Sequence, residues 1–313
     1  MESYNLVCIA DETYAQHAAV MLASLFATNP SKQFRVFLMT FVMQKETKKK
    51  LEDMVNEYGS ITFIENDYEG TGIQTLKSET STKAWNPIMY LKLLIPQFLP
   101  QDVDRFLFLD VDMVVNADIE PLYEIPFSGN IVYACEDYKY LQAHKYRLGL
   151  REEDLYINSG VMMVDLKAWR EKDKQFPTIE CLKQYADRLN NDQDGFALYF
   201  KGEIALLPTN KWNATTFFFE QEPRILDKYL AEVDKVRRNP YIIHFCEPVK
   251  PWFKDCLHPY RNLYRKYLEM TPWKDYKYPM SGTYRGLALV KYYIKYWLNA
   301  CGIRREPMSL VRL

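Results

Sequence analysis

The chain has 313 residues, enough to bury a substantial core as one large α/β domain with appendages or as two modest domains. Its 40 Lys and Arg stand against 41 Asp and Glu, a formal charge of −1, so no global field draws it to nucleic acid and none is expected as a partner. The N-terminus lacks a basic segment leading into an apolar run, and no later stretch offers about 18 uninterrupted apolar residues, so we expect a cytoplasmic protein without a signal peptide or membrane span.

In chain order, "YNLVCIADE" is a β-branched and apolar run ending in acid. "YAQHAAVMLASLFATNP" follows, with apolar residues at helical spacing until Asn29-Pro30 stops it. "FRVFLMTF" predicts a second buried strand, "QKETKKKLEDMVNEYG" a charged surface helix ended by Gly59, and "SITFIEN" a third strand. The β-α-β-α-β order argues for a parallel sheet flanked by helices. "NPIMYLKLLIPQFLP" reads as a helix and "RFLFL" as a strand; further strands are expected in "NIVYACE", "GVMMVDL", "EIALLP" and "YIIHFCE". Helices are expected around Pro177 to Arg188 and Gln193 to Phe200. The six cysteines are scattered through apolar segments and read as reduced thiols. His244, Cys246, Cys256 and His258 could ligate zinc, but structural zinc sites pair cysteines about two to four apart, so we do not assign one.

The tripeptide Asp-Val-Asp occurs twice, at 102–104 before the strand "RFLFL" and at 110–112 after it. Ligands of open parallel sheets bind outside the carboxyl ends of the strands, so the second copy is the candidate site and the first a solvated turn. Side chains along a strand repeat every two residues, which directs Asp110 and Asp112 to the same mouth. Two carboxylates among apolar neighbours repel unless a cation compensates them, and hard oxygen ligands select Mg²⁺ or Mn²⁺. An imidazole tilts the choice to Mn²⁺, and His244, ending the strand "YIIHF", is the third candidate ligand. Lys250, six residues on and held by Pro251 and Trp252, can meet a phosphate as a point charge. Metal plus lysine implies a diphosphate ligand.

"CIADETY", "RFLFLDVDMVV", "YINSGVMMVDLKAWR", "DQDGFALYFKG" with "LPTNKWN", and "HFCEPVKPW" occur in one order over roughly residues 5 to 265. Together they resemble glycosyltransferase family 8, the family of bacterial lipopolysaccharide galactosyl- and glucosyltransferases and of glycogenin. The resemblance implies an α/β fold of the GT-A-like, Rossmann-like nucleotide-diphospho-sugar transferase kind, with a mainly parallel central sheet. It also implies a UDP-sugar donor, Mn²⁺ (or Mg²⁺) and transfer with retention. Carried over by motif, Asp11 and Tyr14 would hold the uracil, Asp110 the ribose and the metal, and Asp112 and His244 would complete the metal ligands. Asn158, Asp192 and Gln193 would surround the donor sugar, Asp137 would lie near the reacting centre or acceptor, and Lys250, with Trp252 beside it, would grip the diphosphate.

Two positions depart from the family pattern. Glu247 replaces the glycine of H-x-x-G-x-x-K-P-W, and in the segment matched to Tyr-x-Arg-Leu we place Tyr90 where arginine is usual, with Lys92 two residues on. Residues 1–268 are expected to form the catalytic domain and 269–313 a basic, aromatic, amphipathic tail, in which Leu287, Val290, Ile294, Trp297, Leu298 and Cys301 share one helical face. Such a helix suits either an anionic membrane surface or packing as a terminal helix on the domain, and lipid-linked acceptors in similar bacterial family members favour the membrane. The expected activity is hexosyl transfer, glucose or galactose, from a UDP-sugar to a saccharide or glycolipid acceptor, a lipopolysaccharide or surface-polysaccharide precursor. The competing reading is a catalytically weak nucleotide-sugar-binding protein, motivated by Tyr90 and Glu247; a glycoside hydrolase would instead need two carboxylates about 5 to 5.5 Å apart and no metal.

Overall fold

A computed structural model describes residues 3–65, 90–220, 223–283 and 286–300, in two compact units. The first comprises Met1–Ala15, Asn29–Val111 and Ile119–Thr209; the second comprises Gln16–Thr28, Asp112–Asp118 and Asn210–Leu313. The expected helix over 86–100 is described only from Tyr90, and Cys301 lies outside the described residues.

The first unit is built on seven strands: β1 Tyr4–Ile9, β2 Phe34–Thr40, β3 Gly59–Glu65, β4 Arg105–Leu109, β6 Val132–Glu136, β7 Ile157–Asp165 and β8 Ile204–Leu206. Their order is β3-β2-β1-β4-β7-β6-β8. The pairs β1–β2, β2–β3, β1–β4 and β6–β8 are parallel, whereas β7 runs antiparallel to both β4 and β6. The sheet is therefore mainly parallel, as the β-α alternation predicts. Nearly every residue of β2 and β7 is buried, which is why those runs carry Val, Leu and Met without polar alternation. Reversal of β7 has a functional consequence: its amino end lies beside the carboxyl ends of β4 and β6. Asn158, Ser159 and Gly160, which precede or open the expected strand "GVMMVDL", lie inside β7.

Two local features set the positions of side chains at that end of the sheet. The β6–β7 register shifts between Ala134 and Cys135, a bulge that bends the strand just before Asp137. The helix Asp192–Tyr199 begins where a capping box fixes it, with Asn191 accepting from the Asp194 N–H while Asp194 accepts from the Asn191 N–H. Gly195 then lets this helix approach the turn Leu91–Leu94, since a Cβ there would stand 2.5 Å from Leu93 Cδ1.

The second unit holds a three-stranded sheet of β5 Met113–Val115, β9 Ala214–Thr215 and β10 Ile242–His244, in the order β5-β10-β9. Val20 and Ala23 of the helix Ala15–Thr28 pack with Val114, Ile243, Phe245, Trp252 and Tyr264 in its core. Trp212, Phe217, Phe218 and Phe219 are all buried, so these aromatics fill the interior. The helix Leu287–Ala300 leaves Leu287, Val290, Ile294 and Trp297 exposed along one stripe. Among the described residues no helix is long and apolar enough to cross a membrane.

Candidate active site

In the first unit the acids are organised around Lys92. This residue sits on the 3-10 turn Leu91–Leu94, and its ammonium lies 2.8 Å from Asp110 and 3.0 Å from Asp192. Ser159 Oγ donates to the same Asp192 oxygen at 2.6 Å, and the ring of Phe108 lies 4.8 Å below the ammonium. Lys92 is buried, and burial opposes its charge; Asp110 and Asp192 outweigh it, raising the ammonium above the usual lysine range. Asp110 also reaches back to β1: the Cys8 thiol is pushed up to about 12, first by burial and then by the charge of Asp110.

Beside this group Gln193 donates from Nε2 to Asp137 Oδ2 at 2.6 Å, and Asn158 donates to Asp137 Oδ1 at 3.5 Å. Gln193 Oε1 accepts from the Ser159 N–H at 3.4 Å, and Tyr138 N–H donates to Asp137 at 2.8 Å. The unit thus brings together Asp110, Asp137, Asn158, Asp192 and Gln193, all predicted from motifs spread over 84 residues of sequence (110 to 193). At the end of β1, Asp11 Oδ1 accepts from Thr13 Oγ1 at 2.6 Å and from the Tyr14 N–H at 2.9 Å, shaping a turn in which Tyr14 is 40% exposed.

In the second unit Asp112, His244 and Lys250 converge. Asp112 Oδ1 is 3.3 Å from His244 Nε2, and Asp112 Oδ2 is 2.7 Å from the Lys250 ammonium. Burial raises the Asp112 carboxyl, but Lys250 and then His244 overcome it and hold it well below the usual carboxylate range. His244 Nδ1 lies 3.0 Å from Asn213 Oδ1, an acceptor that calls for the Nδ1–H tautomer. That tautomer turns the Nε2 lone pair toward a carboxylate oxygen, an arrangement that takes a proton or a metal cation between them. Trp252 lies 4% exposed, stacked on His17 at 3.6 Å between ring centroids, and anchors the loop that carries Lys250.

Asp102, in the first Asp-Val-Asp copy, forms an exposed ion pair with Arg35 at 2.8 Å, as a solvated turn should. Tyr90, assigned to the arginine position, is instead a core residue, 1% exposed. The pattern Tyr-x-Arg-Leu lies on Tyr90-Leu91-Lys92-Leu93, so lysine replaces arginine and Lys92 is the basic residue that the sequence reading undervalued. Tyr90 and Lys92, two residues apart, face different ways, one into the core and the other onto the carboxylates. Finally, Glu247 accepts from Arg224 at 2.8 Å, so its charge has a cationic partner of its own.

A mainly parallel sheet with acidic and amide side chains gathered at the strand ends, and an Asp-Val-Asp motif closing β4, defines a GT-A-like glycosyltransferase fold. The chain belongs to glycosyl transferase family 8, whose model matches residues 5–256. It is 28% identical over 285 residues to general stress protein A of Bacillus subtilis (strain 168), covering 87% of this chain and 95% of that one. A lipopolysaccharide 1,2-glucosyltransferase of Escherichia coli (strain K12) is 29% identical, covering 62% of this chain and 57% of the relative. A lipopolysaccharide 1,3-galactosyltransferase of Salmonella typhimurium is 24% identical, covering 87% of this chain and 80% of the relative. Among solved structures, the galactosyltransferase LgtC in complex with donor and acceptor sugar analogues matches with a TM-score of 0.72 at 21% identity, covering 87% of this chain and all of that one (100%).

Proposed function

We propose that this glycosyltransferase is a metal-dependent, retaining hexosyltransferase that moves glucose or galactose from UDP to a lipopolysaccharide or surface-polysaccharide precursor. The observation that carries the reading is the convergence of Asp112, His244 and Lys250, an anionic ligand, a tautomer-fixed imidazole and an ammonium in one place. Relatives named as lipopolysaccharide glucosyl- and galactosyltransferases supply the acceptor class. Asp112 and His244 offer a carboxylate oxygen and an imidazole nitrogen, and with Asp110, which the family motif supplies as third ligand, they would make a hard two-oxygen, one-imidazole set suited to Mn²⁺ or Mg²⁺. When bound, such an ion stabilises the charge that develops on the departing diphosphate.

This chain's own residues would do the rest. Lys250 grips the diphosphate; Tyr14 stacks on the uracil, Asp11 holds the turn beneath it, and Trp252 keeps the Lys250 loop in place. Asp192 and Asn158 take donor-sugar hydroxyls, with Lys92 and Ser159 fixing Asp192. Gln193 and Asp137, already joined, present an amide and a carboxylate to the reacting carbon and the acceptor. We assign residues 1–268 to the catalytic fold. The helix Leu287–Ala300, with its exposed apolar stripe, would rest on an anionic membrane surface, giving peripheral attachment. The test is calorimetric titration of UDP-, GDP- and dTDP-sugars with and without Mn²⁺, then donor hydrolysis on any binder. Metal-dependent binding and slow hydrolysis of one UDP-hexose support the reading; binding of none refutes it. Flotation with anionic vesicles, before and after deletion of residues 287–313, tests attachment: equal flotation of both forms refutes it.

A further inference from the structure

Glu247 occupies the glycine position of the family pattern, in the loop that joins His244 to Lys250. The two ends of this loop are anchored. His244 ends β10 in register with β5 and β9, and Trp252 is clamped on His17. Lys250 Nζ donates to the Phe245 carbonyl, closing 245–250 on itself. The middle has one charged attachment: Glu247 Oε1 accepts from Arg224 Nη2 at 2.8 Å.

Arg224 is itself held. Its Nε donates to Glu220 Oε2 at 2.7 Å, its Nη2 donates to Glu220 Oε1, and its guanidinium lies 4.7 Å from the ring centre of Phe217. Glu220 is 5% exposed, so the cation is fixed from a buried carboxylate while its fork reaches a second. Glu220, Arg224, Glu247, Pro248 and Val249 wall a cavity of about 120 Å³ beside Phe245. The planar fork is the reason one residue can serve both acids; a lysine would offer a point charge on a flexible stem.

We propose that Arg224, fixed by Glu220, acts as a latch on Glu247 and holds the loop so that Lys250 stays on Asp112, ready for a diphosphate group. Arg224 is thus a positioning residue, and the proposal rests on the reading of Lys250 as the diphosphate grip. With glycine at 247 the loop would be ordered by the ligand. With Glu247 latched it is ordered beforehand, and less freedom is lost on binding.

The test uses the full chain as wild type, Arg224→Gln, Glu247→Gln and the double variant, with two measurements. Amide hydrogen exchange of residues 244–252 without ligand should rise about tenfold in each single variant. UDP affinity with Mn²⁺, by calorimetry, should fall about tenfold in each, and the double variant should be no worse than the weaker-binding single. Melting temperature separates this from a structural role, because Glu247→Gln removes one partly exposed charge and should melt as the wild type does while losing UDP affinity. That variant also carries the test if Arg224→Gln, which strands a buried Glu220, does not fold. Unchanged loop exchange in Glu247→Gln, or losses that simply add in the double variant, would overturn the latch. If the wild type binds no UDP, the functional reading falls, and loop exchange still decides for or against the latch.

Discussion

Replacing Lys92 with methionine isolates the electrostatics of the first unit. The Lys92 side chain is 9% exposed and its partner Asp192 6%, so the variant keeps an unbranched apolar stem but removes the ammonium over Phe108 and leaves a buried carboxylate without its cation. Removing one member of a buried pair costs about 3–5 kcal/mol, because the remaining charge stays desolvated. Asp110 adds less, since it is 28% exposed and water can take over from the ammonium. We expect a loss of about 3 kcal/mol or more in urea denaturation at neutral pH. Asp192→Asn in the same chain should recover about 2 kcal/mol, since it removes the stranded charge. A loss below about 1 kcal/mol, or a double variant whose loss is the sum of the singles, would refute the account. Lys92→Arg keeps the charge and should recover most of the stability. The ammonium's raised range means the pair's contribution is complete below the usual lysine pKa and is lost only as pH rises through the folded value.

Asn213→Ala should lower Mn²⁺ affinity about 10–100-fold in a metal titration while leaving the fold intact, because it frees His244 to take the wrong tautomer. Gly195→Ala should cost about 1–3 kcal/mol in chemical denaturation, since the added methyl meets Leu93 and Leu182 where the helix packs closest. The pH dependence of stability should carry a signature of His258, whose imidazole is pushed down to about 3, first by burial and then by Arg261. The unfolded chain takes up this proton below about 6.5 and the folded one does not. Stability therefore falls as pH drops from about 6.5 toward 3, by up to about 1.4 kcal/mol per pH unit from this group. His258→Phe should flatten that slope in urea denaturation compared between neutral and mildly acidic pH.

Hydrophobic runs bounded by turn residues were enough to read β1, β2, β4 and β10, because strands buried on both sides need no alternation to identify them, and the edge strand β3 was legible from its β-branched and aromatic residues. The second Asp-Val-Asp copy was legible for a topological reason: a carboxyl end of a sheet strand is where free side chains gather. The reversal of β7 was not legible, since an antiparallel strand buried on both faces has the same composition as a parallel one, and it is the reversal that brings Asn158 and Ser159 to Lys92, Asp137 and Gln193. Lys92 was missed by alignment, not by periodicity: with Tyr90 placed at the arginine position, the residue two further on faced elsewhere, and that different direction is what puts Tyr90 in the core and Lys92 among the acids.

The second unit makes a sharper demand on the metal reading. Asp112 divides its oxygens: Oδ1 faces His244 and Oδ2 holds Lys250. A divalent cation held by Asp112 and His244 would lie near the Lys250 ammonium, and charges of +2 and +1 about 4 Å apart repel by about 8 kcal/mol at an effective dielectric constant near 20. The same ammonium attracts a diphosphate. Lys250→Met should therefore move two affinities in opposite directions: Mn²⁺ alone binds more tightly, while UDP in saturating Mn²⁺ binds more weakly. Calorimetric titration of each, on protein that melts as the wild type does, reads both. If Mn²⁺ affinity falls along with UDP affinity, Lys250 is holding Asp112 in place for the metal, and its assignment as the diphosphate grip fails.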